Sequence, residues 1–189
     1  ATIFPALRGI TRTRFEGSLG SSVSTNQTME YDAFGNVTDL EDPGDPDAAD
    51  DMLATLTYTG TSGRHPGCAD PSRYIVGKAD SVKVRGPSRL LRQREGSYDC
   101  ETSELRELTE RGGASPDSVS NFAYDGFGNL QTLTGPANLH GQRRVMRFTY
   151  EPVANTHVRR VDDVSFGLFS EAEHDLRFGE MSATVDMNG

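Results

Sequence analysis

The chain has 189 residues, with 28 acidic side chains against 19 basic ones and a net charge of -9 at pH 7. This balance excludes a nucleic-acid partner, because phosphate binding needs clustered Lys and Arg. No apolar run approaches the roughly 20 residues that span a bilayer, so we expect no membrane insertion by this segment. Frequent tight turns are indicated by 20 Gly and 9 Pro beside only 34% hydrophobic residues, which favours an all-β fold.

The first predicted hairpin turn lies at residues 29 to 37, which read Met-Glu-Tyr-Asp-Ala-Phe-Gly-Asn-Val. Side chains alternate along a strand, so Met29 and Tyr31 share one face of the incoming strand. Asp32 can accept backbone N–H bonds, and Gly35 adopts a positive φ at little cost, which predicts a tight turn. A second strand then leaves from Val37.

Two polar stretches follow, 42–51 and 59–73, and both are predicted to be surface loop insertions. The first is acidic and could supply oxygen ligands for Ca²⁺ from Asp42, Asp45, Asp47, Asp50 and Asp51. It lacks the spacing of an EF-hand loop, so the alternative is a solvated acidic loop. The second stretch is rich in Gly, Pro and Ser.

The same turn pattern recurs every few tens of residues, which indicates an array of similar units. An aromatic residue or histidine is followed in most units by an acidic residue and then by a glycine. The repeat positions are Tyr31-Asp32 with Gly35, Tyr58, Tyr98-Asp99, Tyr124-Asp125 with Gly128, Tyr150, and His174-Asp175 with Gly179. Two strands per unit predict antiparallel hairpins added one after another, with 1–189 forming a single segment of a longer array.

One spacing in the outgoing strands leaves two structures open. Val37 and Leu40 are three residues apart, as are Leu130 and Leu133. In a regular strand this spacing places the two side chains on opposite faces, and a β-bulge would place them differently. Either both faces of the sheet are covered or the strands are bulged.

Cys68 and Cys100 are the only two cysteines. A disulfide between them would suit an exported protein, whereas two reduced cysteines are the alternative. The four histidines are far apart, and neither a zinc-ligand pattern nor a Gly-x-Ser-x-Gly motif is present. We therefore expect no catalytic residue, no cofactor and no enzyme activity in this segment.

The stretches Tyr-Asp-Ala-Phe-Gly-Asn-Val at 31–37 and Tyr-Asp-Gly-Phe-Gly-Asn-Leu at 124–130 resemble the YD repeat of Rhs-type proteins. Residues 121–138 and 174–179 are similar, more narrowly, to the B-component of bacterial insecticidal toxin complexes and to virulence proteins of the SpvB type. The resemblance covers roughly 25 to 189.

The resemblance implies a continuous, curved β-sheet strip that forms part of a hollow, secreted or cell-surface bacterial shell. Such a shell encloses a toxic polypeptide for delivery. The implied partners are the remainder of the shell, the enclosed toxin and a translocation-channel component. The alternative function is a cell-surface adhesion module that binds carbohydrate through exposed repeat tyrosines and carboxylates. In the competing interpretation, each Tyr packs between strands and each Asp holds a turn.

Overall fold

The computed structural model describes residues 5–15, 17, 20, 22–44, 48–61, 63–65, 68, 73–112 and 116–187. These residues contain thirteen antiparallel strands, which lie in one sheet in the same order as in the chain. The prediction of an all-β fold made of successive hairpins is confirmed. The described residues contain no long apolar helix of the kind that crosses a bilayer.

The chain divides into two compact units, and the seventh strand contributes residues to both. The first unit comprises Ala1–Ser103 and Thr109–Asp117. Its strands are β1 Gly9–Phe15, β2 Ser22–Tyr31, β3 Val37–Gly44, β4 Met52–Tyr58, β5 Ala79–Arg85 and β6 Leu90–Tyr98, and it shares β7 Leu105–Arg111.

The second unit comprises Glu104–Leu108 and Ser118–Gly189. Its own strands are β8 Ser118–Tyr124, β9 Leu130–Ala137, β10 Arg143–Tyr150, β11 Val158–Asp163, β12 Leu168–Asp175 and β13 Glu180–Val185. Five of the six repeat positions end a strand at or next to a hairpin turn, as the sequence predicts, and the sixth, Tyr58, ends β4 before a long excursion.

A β-bulge accompanies the repeat aromatic in the strand pairs whose register is known. In the first unit, Glu30 pairs with Asp39 but Tyr31 pairs with Val37, which leaves one extra residue on the outgoing strand. The same shift occurs at Tyr58. In the second unit it occurs at Tyr124, Tyr150 and His174. The bulge is therefore a feature of the repeat.

The bulge explains the three-residue spacing of aliphatic residues in the outgoing strands, such as Leu130 and Leu133. Tyr124 pairs with Leu130 and Phe122 pairs with Leu133. Because Phe122 and Tyr124 share a face, their partners Leu130 and Leu133 lie on that face as well. The extra residue restores the alternation that the spacing would otherwise break.

Apolar burial in this sheet is sparse. Among the described residues, the only buried apolar side chains are Tyr58 and Cys68. Phe122 and Phe148, each two residues before a repeat tyrosine and on the same strand face, are only half-buried. The sheet therefore relies on backbone ladders and polar bonds to an unusual degree.

The partial burial of these two rings predicts a modest effect of removing them. Phe122→Ala and Phe148→Ala should each lower the free energy of unfolding by less than the roughly 3 to 5 kcal/mol of a fully buried aromatic, as measured by chemical denaturation.

The predicted surface loops differ from the structure in two respects. Strand β3 continues through Gly44, so the first part of the predicted loop 42–51 is in the sheet. In the predicted loop 59–73, Thr59 and Cys68 are fully buried. A Gly-rich and Pro-rich composition indicated exposure, and the contacts that bury these two residues come from distant parts of the chain.

The turn glycine Gly128 provides a test of the hairpin geometry. Its φ is +84°, and the strain of a β-branched residue there should lower the free energy of unfolding of Gly128→Val by roughly 1 to 3 kcal/mol. Gly126→Val is the matched control, because Gly126 has no positive φ and no atom within 4 Å of an added Cβ. Urea denaturation should separate the two variants, and equal stabilities would contradict the assigned turn.

Candidate functional site

The hydroxyl groups of the repeat tyrosines connect successive hairpins in the first unit. Tyr58 donates to the Val37 carbonyl at 2.8 Å, and Tyr98 donates to the Ala79 carbonyl at 3.1 Å. Each acceptor begins the outgoing strand of the preceding repeat. Val37 is the partner of Tyr31, and Ala79 is the partner of Tyr58.

The second unit repeats this arrangement. Tyr150 donates to the Leu130 carbonyl at 3.0 Å, and Leu130 is the strand partner of Tyr124. We call these connections, from Tyr58, Tyr98 and Tyr150, the tyrosine ladder.

The electrostatic surroundings of these hydroxyls fit their role as donors. Burial, with the Asp32 charge adding to it, raises the pKa of Tyr58. Burial and then the Asp125 charge raise the pKa of Tyr150 in the same way. The hydroxyls therefore stay protonated at neutral pH and can donate.

The sixth repeat position departs from the ladder. His174 occupies the place of the tyrosine, and its Nδ1 atom is buried with no hydrogen-bond partner. Its ring stacks on that of His157, with centroids 4.8 Å apart and an interplanar angle of 19°. An imidazole is shorter than a phenol, so it fills this place by stacking and leaves out the ladder bond.

The repeat carboxylates hold the turns from within. Asp32 Oδ1 accepts N–H bonds from Phe34 and Asn36, both at 2.9 Å. Asp125 Oδ1 accepts the equivalent bonds from Phe127 and Asn129 at the same distance. Desolvation alone would raise the pKa of Asp125, but the bonds from Asn129 and Phe127 outweigh it and lower that pKa.

Turns that lack the full motif use substitutes for its parts. Asp99 accepts bonds from the N–H groups of Glu101 and Thr102, and Ser103 takes a positive φ of 62° without being a glycine. Glu151 accepts bonds from three N–H groups, and Asn155 takes a φ of 54°. Asp175 accepts the Arg177 N–H bond beside Gly179, whose φ is 70°.

The turn asparagines connect neighbouring turns. Asn36 Nδ2 donates to Asp32 at 2.9 Å and to the Val76 carbonyl at 2.8 Å. Asn129 Nδ2 donates to Asp125 at 3.2 Å and to the Asn155 carbonyl at 2.7 Å. Neither contact is predictable from the sequence, where the only sign is that Asn follows the turn glycine in both complete copies of the motif.

Cys68 and Cys100 form a disulfide, with Cα atoms 4.6 Å apart. The bridge attaches the excursion between β4 and β5 to the turn that follows Tyr98. Polar contacts add to it: Arg64 pairs with Glu95 at 3.1 Å, and Arg73 donates to the Cys100 carbonyl at 3.0 Å. Arg111 also pairs with Glu95, at 2.8 Å.

The acidic candidates for a Ca²⁺ site do not form a ligand cluster in the described residues. Asp42 accepts the Gln27 amide at 2.6 Å and the Gly44 N–H at 3.2 Å. Asp50 and Asp51 lie after the strand end, and Asp45 and Asp47 lie outside the described residues. Within the part of the chain that the structure describes, no group of three or more His, Cys, Asp or Glu is placed to hold a metal ion.

The comparisons with known proteins bear on the fold. No family model and no curated protein matches the sequence. The crystal structure of TcdB2-TccC3-TEV aligns with a TM-score of 0.54 and 14% identity, over 92% of this chain and 9% of that chain. A structure of the Photorhabdus luminescens Tc holotoxin pore with a mutated TccC3 aligns over 85% of this chain and 9% of that chain, at 13% identity and a TM-score of 0.42.

This chain therefore has a fold like that of a short stretch of the Tc toxin components TcdB2-TccC3, and it spans 9% of the aligned chain. The tyrosine ladder and the turn carboxylates act within the sheet, and what this arrangement does chemically is to hold hairpins in register.

The missing ladder bond at His174 predicts a stabilising substitution. In His174→Tyr, the new hydroxyl should reach the Val158 carbonyl, which stands where Val37, Ala79 and Leu130 stand in the other repeats. One such bond should raise the free energy of unfolding by about 1 kcal/mol. Tyr150→His is the reciprocal variant and should lower it by a similar amount. Chemical denaturation of both variants gives the answer, and a destabilised His174→Tyr would contradict the ladder rule.

The Glu151 carboxylate predicts a pH dependence of stability. Bonds from the backbone N–H groups of Ala154 and Thr156 lower the pKa of Glu151 from 4.5 to about 2. The unfolded chain then binds the proton more readily, so stability should fall as the pH drops from about 5 toward 2. Glu151→Gln should flatten this part of the curve, whereas the exposed control Glu173→Gln should not. Identical acid curves for Glu151→Gln and the wild type would refute the assigned role.

Proposed function

We propose that this chain is a structural segment of a shell of the Rhs and toxin-complex type, which encloses a toxic polypeptide until it is delivered. The observation that carries the proposal is the sheet of thirteen strands in chain order, which matches a stretch of TcdB2-TccC3-TEV over 92% of this chain. The segment contributes a wall and performs no catalysis. Its partners are the other parts of the shell, the enclosed polypeptide and a translocation-channel component.

The construction of the sheet supports a wall-forming role. Neighbouring hairpins pair through backbone ladders, and at Tyr58, Tyr98 and Tyr150 a tyrosine hydroxyl adds a bond to the preceding hairpin. Among the described residues, β1 and β13 each pair with a strand on one side only, and further hairpins of the same kind can continue the sheet there. Such a strip gains area without needing a thick apolar core.

The repeat tyrosines give little support to the rival function of carbohydrate binding. A sugar platform needs exposed aromatic faces and available carboxylates. Tyr58 is 8% exposed, and its hydroxyl is bonded to Val37. Asp32 and Asp125 each accept two backbone N–H bonds and an asparagine amide. The groups that would bind a sugar are used to hold the repeat together.

The proposal is tested on the full-length protein that carries this segment. Limited proteolysis should leave an enclosed polypeptide intact, and electron microscopy should show hollow particles with this sheet in the wall. The destabilising Gly128→Val change should expose the enclosed polypeptide to protease at a lower urea concentration than Gly126→Val does. Absence of any protected polypeptide, or particles without an interior, would overturn the proposal.

A further inference from the structure

A groove in the second unit lies outside the tyrosine ladder. It has a volume of about 450 Å³ and lies between the turn that joins β9 to β10 and the turn that joins β11 to β12. Both turns lie at the end of the strands opposite to the end that carries the Tyr-Asp turns. The groove is within the size range of small-ligand sites.

One wall of the groove carries an arginine that a buried carboxylate holds in place. Arg144 Nε and Nη2 both donate to Asp163 Oδ2 at 2.7 Å. Asp163 is fully buried, whereas the Arg144 side chain is 57% exposed. A buried ion pair of this kind adds little net stability, but it fixes the direction of the guanidinium group.

The groove has a local excess of positive charge. Arg143 also lines it, and this guanidinium donates to the carbonyls of Gly135, Val119 and Thr134. Those acceptors are uncharged, so the two arginines face one carboxylate, that of Asp163. The whole chain carries a net charge of -9, and long-range repulsion therefore disfavours a polyanion while the groove favours a single local negative charge.

An exposed aromatic ring stands beside the arginine. Phe166 is 69% exposed, and its ring centroid lies 5.9 Å from Arg144 Cζ. The turn that carries it is fixed to β10, because the Val145 N–H donates to Ser165 Oγ at 2.9 Å and the Val164 N–H donates to the Val145 carbonyl at 2.9 Å. These two bonds hold the exposed ring in a defined position beside the Arg144 guanidinium.

Side-chain amides complete the lining. Asn138 Oδ1 accepts N–H bonds from His140 and Gln142, and Asn138 Nδ2 donates to Gln142 Oε1 at 3.2 Å. These bonds orient the Gln142 amide so that its Nε2 group is available to donate to a ligand. The groove thus combines an aromatic face, oriented donors and positive charge.

We propose that this groove binds a saccharide that carries a carboxylate. The apolar face of a sugar ring would lie on Phe166, its hydroxyl groups would accept bonds from Gln142, and its carboxylate would pair with the exposed side of Arg144. Flat aromatic contact and donors to hydroxyls favour a sugar over a peptide, whose side chains would need a deeper pocket. This inference is independent of the encapsulating role, because the groove lies at the end of the strands opposite to the Tyr-Asp turns and uses none of the ladder tyrosines.

The proposal is tested with the 189-residue chain and two tetrasaccharide probes. One alternates glucuronic acid with N-acetylglucosamine, and the other contains N-acetylglucosamine alone and is neutral. NMR titration of the protein amides should show binding of the acidic probe at the groove, and Phe166→Ala should weaken it at least tenfold. Phe127→Ala is the control, because Phe127 is equally exposed, at 73%, in a Tyr-Asp turn.

The outcomes separate clearly. Weaker binding of the neutral probe than of the acidic probe supports the role of Arg144. The two probes are compared instead of substituting Arg144, because an Arg144 variant would leave the Asp163 charge buried and unpaired. Gln142→Ala is a second surface variant that should also weaken binding. Equal binding of both probes, unchanged binding in Phe166→Ala, or no shifts at about 10 mM probe would overturn the proposal.

Discussion

The tyrosine hydroxyl bond to the preceding repeat is the interaction on which the rest of this structure depends. Tyr58, Tyr98 and Tyr150 each donate to the carbonyl of the residue that begins the outgoing strand of the previous hairpin. The bulge beside Tyr31, Tyr58, Tyr124 and Tyr150 brings the aliphatic partners of the outgoing strand to the same face as that aromatic. Where the hydroxyl bond is present, it holds a hairpin against the preceding one.

A sheet built in this way needs other means of stabilisation than a large core. The turn carboxylates accept backbone N–H bonds, the turn asparagines bond to neighbouring turns, and a disulfide fastens the longest excursion. Glu95 is an example of the polar contacts. The bond from Arg64, together with bonds from Gln93 and Arg111, lowers the pKa of the Glu95 carboxyl to about 2. These contacts are individually modest, so regular repetition matters more than any single one.

The sequence alone predicts the local chemistry of this fold better than its longer-range contacts. The position of Gly128 in the turn and the role of Asp125 follow from properties of single residues, namely tolerance of positive φ and a short acceptor side chain. The only sign in the sequence of the bulge opposite Tyr124 is the three-residue spacing of Leu130 and Leu133. That spacing fits either a bulged strand or a regular strand covered on both faces. The partner of Tyr150, the Leu130 carbonyl, has no side-chain signature at all.

Two further features lay beyond sequence reasoning for the same reason. Ser103 takes the left-handed conformation that a glycine would take, because the surrounding hydrogen bonds impose it. Thr59 is buried where its N–H donates to the Lys78 carbonyl at 2.9 Å and its hydroxyl donates to the Ile75 carbonyl at 3.0 Å. The groove beside Phe166 brings together Arg144 and Asp163, which are separated in sequence and adjacent only through the pairing of β10 with β11.

The most direct measurement of the central claim is the unfolding free energy of Tyr58→Phe, compared with Tyr74→Phe. Tyr58→Phe removes only the hydroxyl that bonds to Val37, and leaves a partly buried carbonyl without its donor. The ladder predicts a loss of about 1 kcal/mol for Tyr58→Phe and no change for Tyr74→Phe, whose side chain is 69% exposed. Equal stability of Tyr58→Phe and the wild type would contradict the ladder as the joint between hairpins.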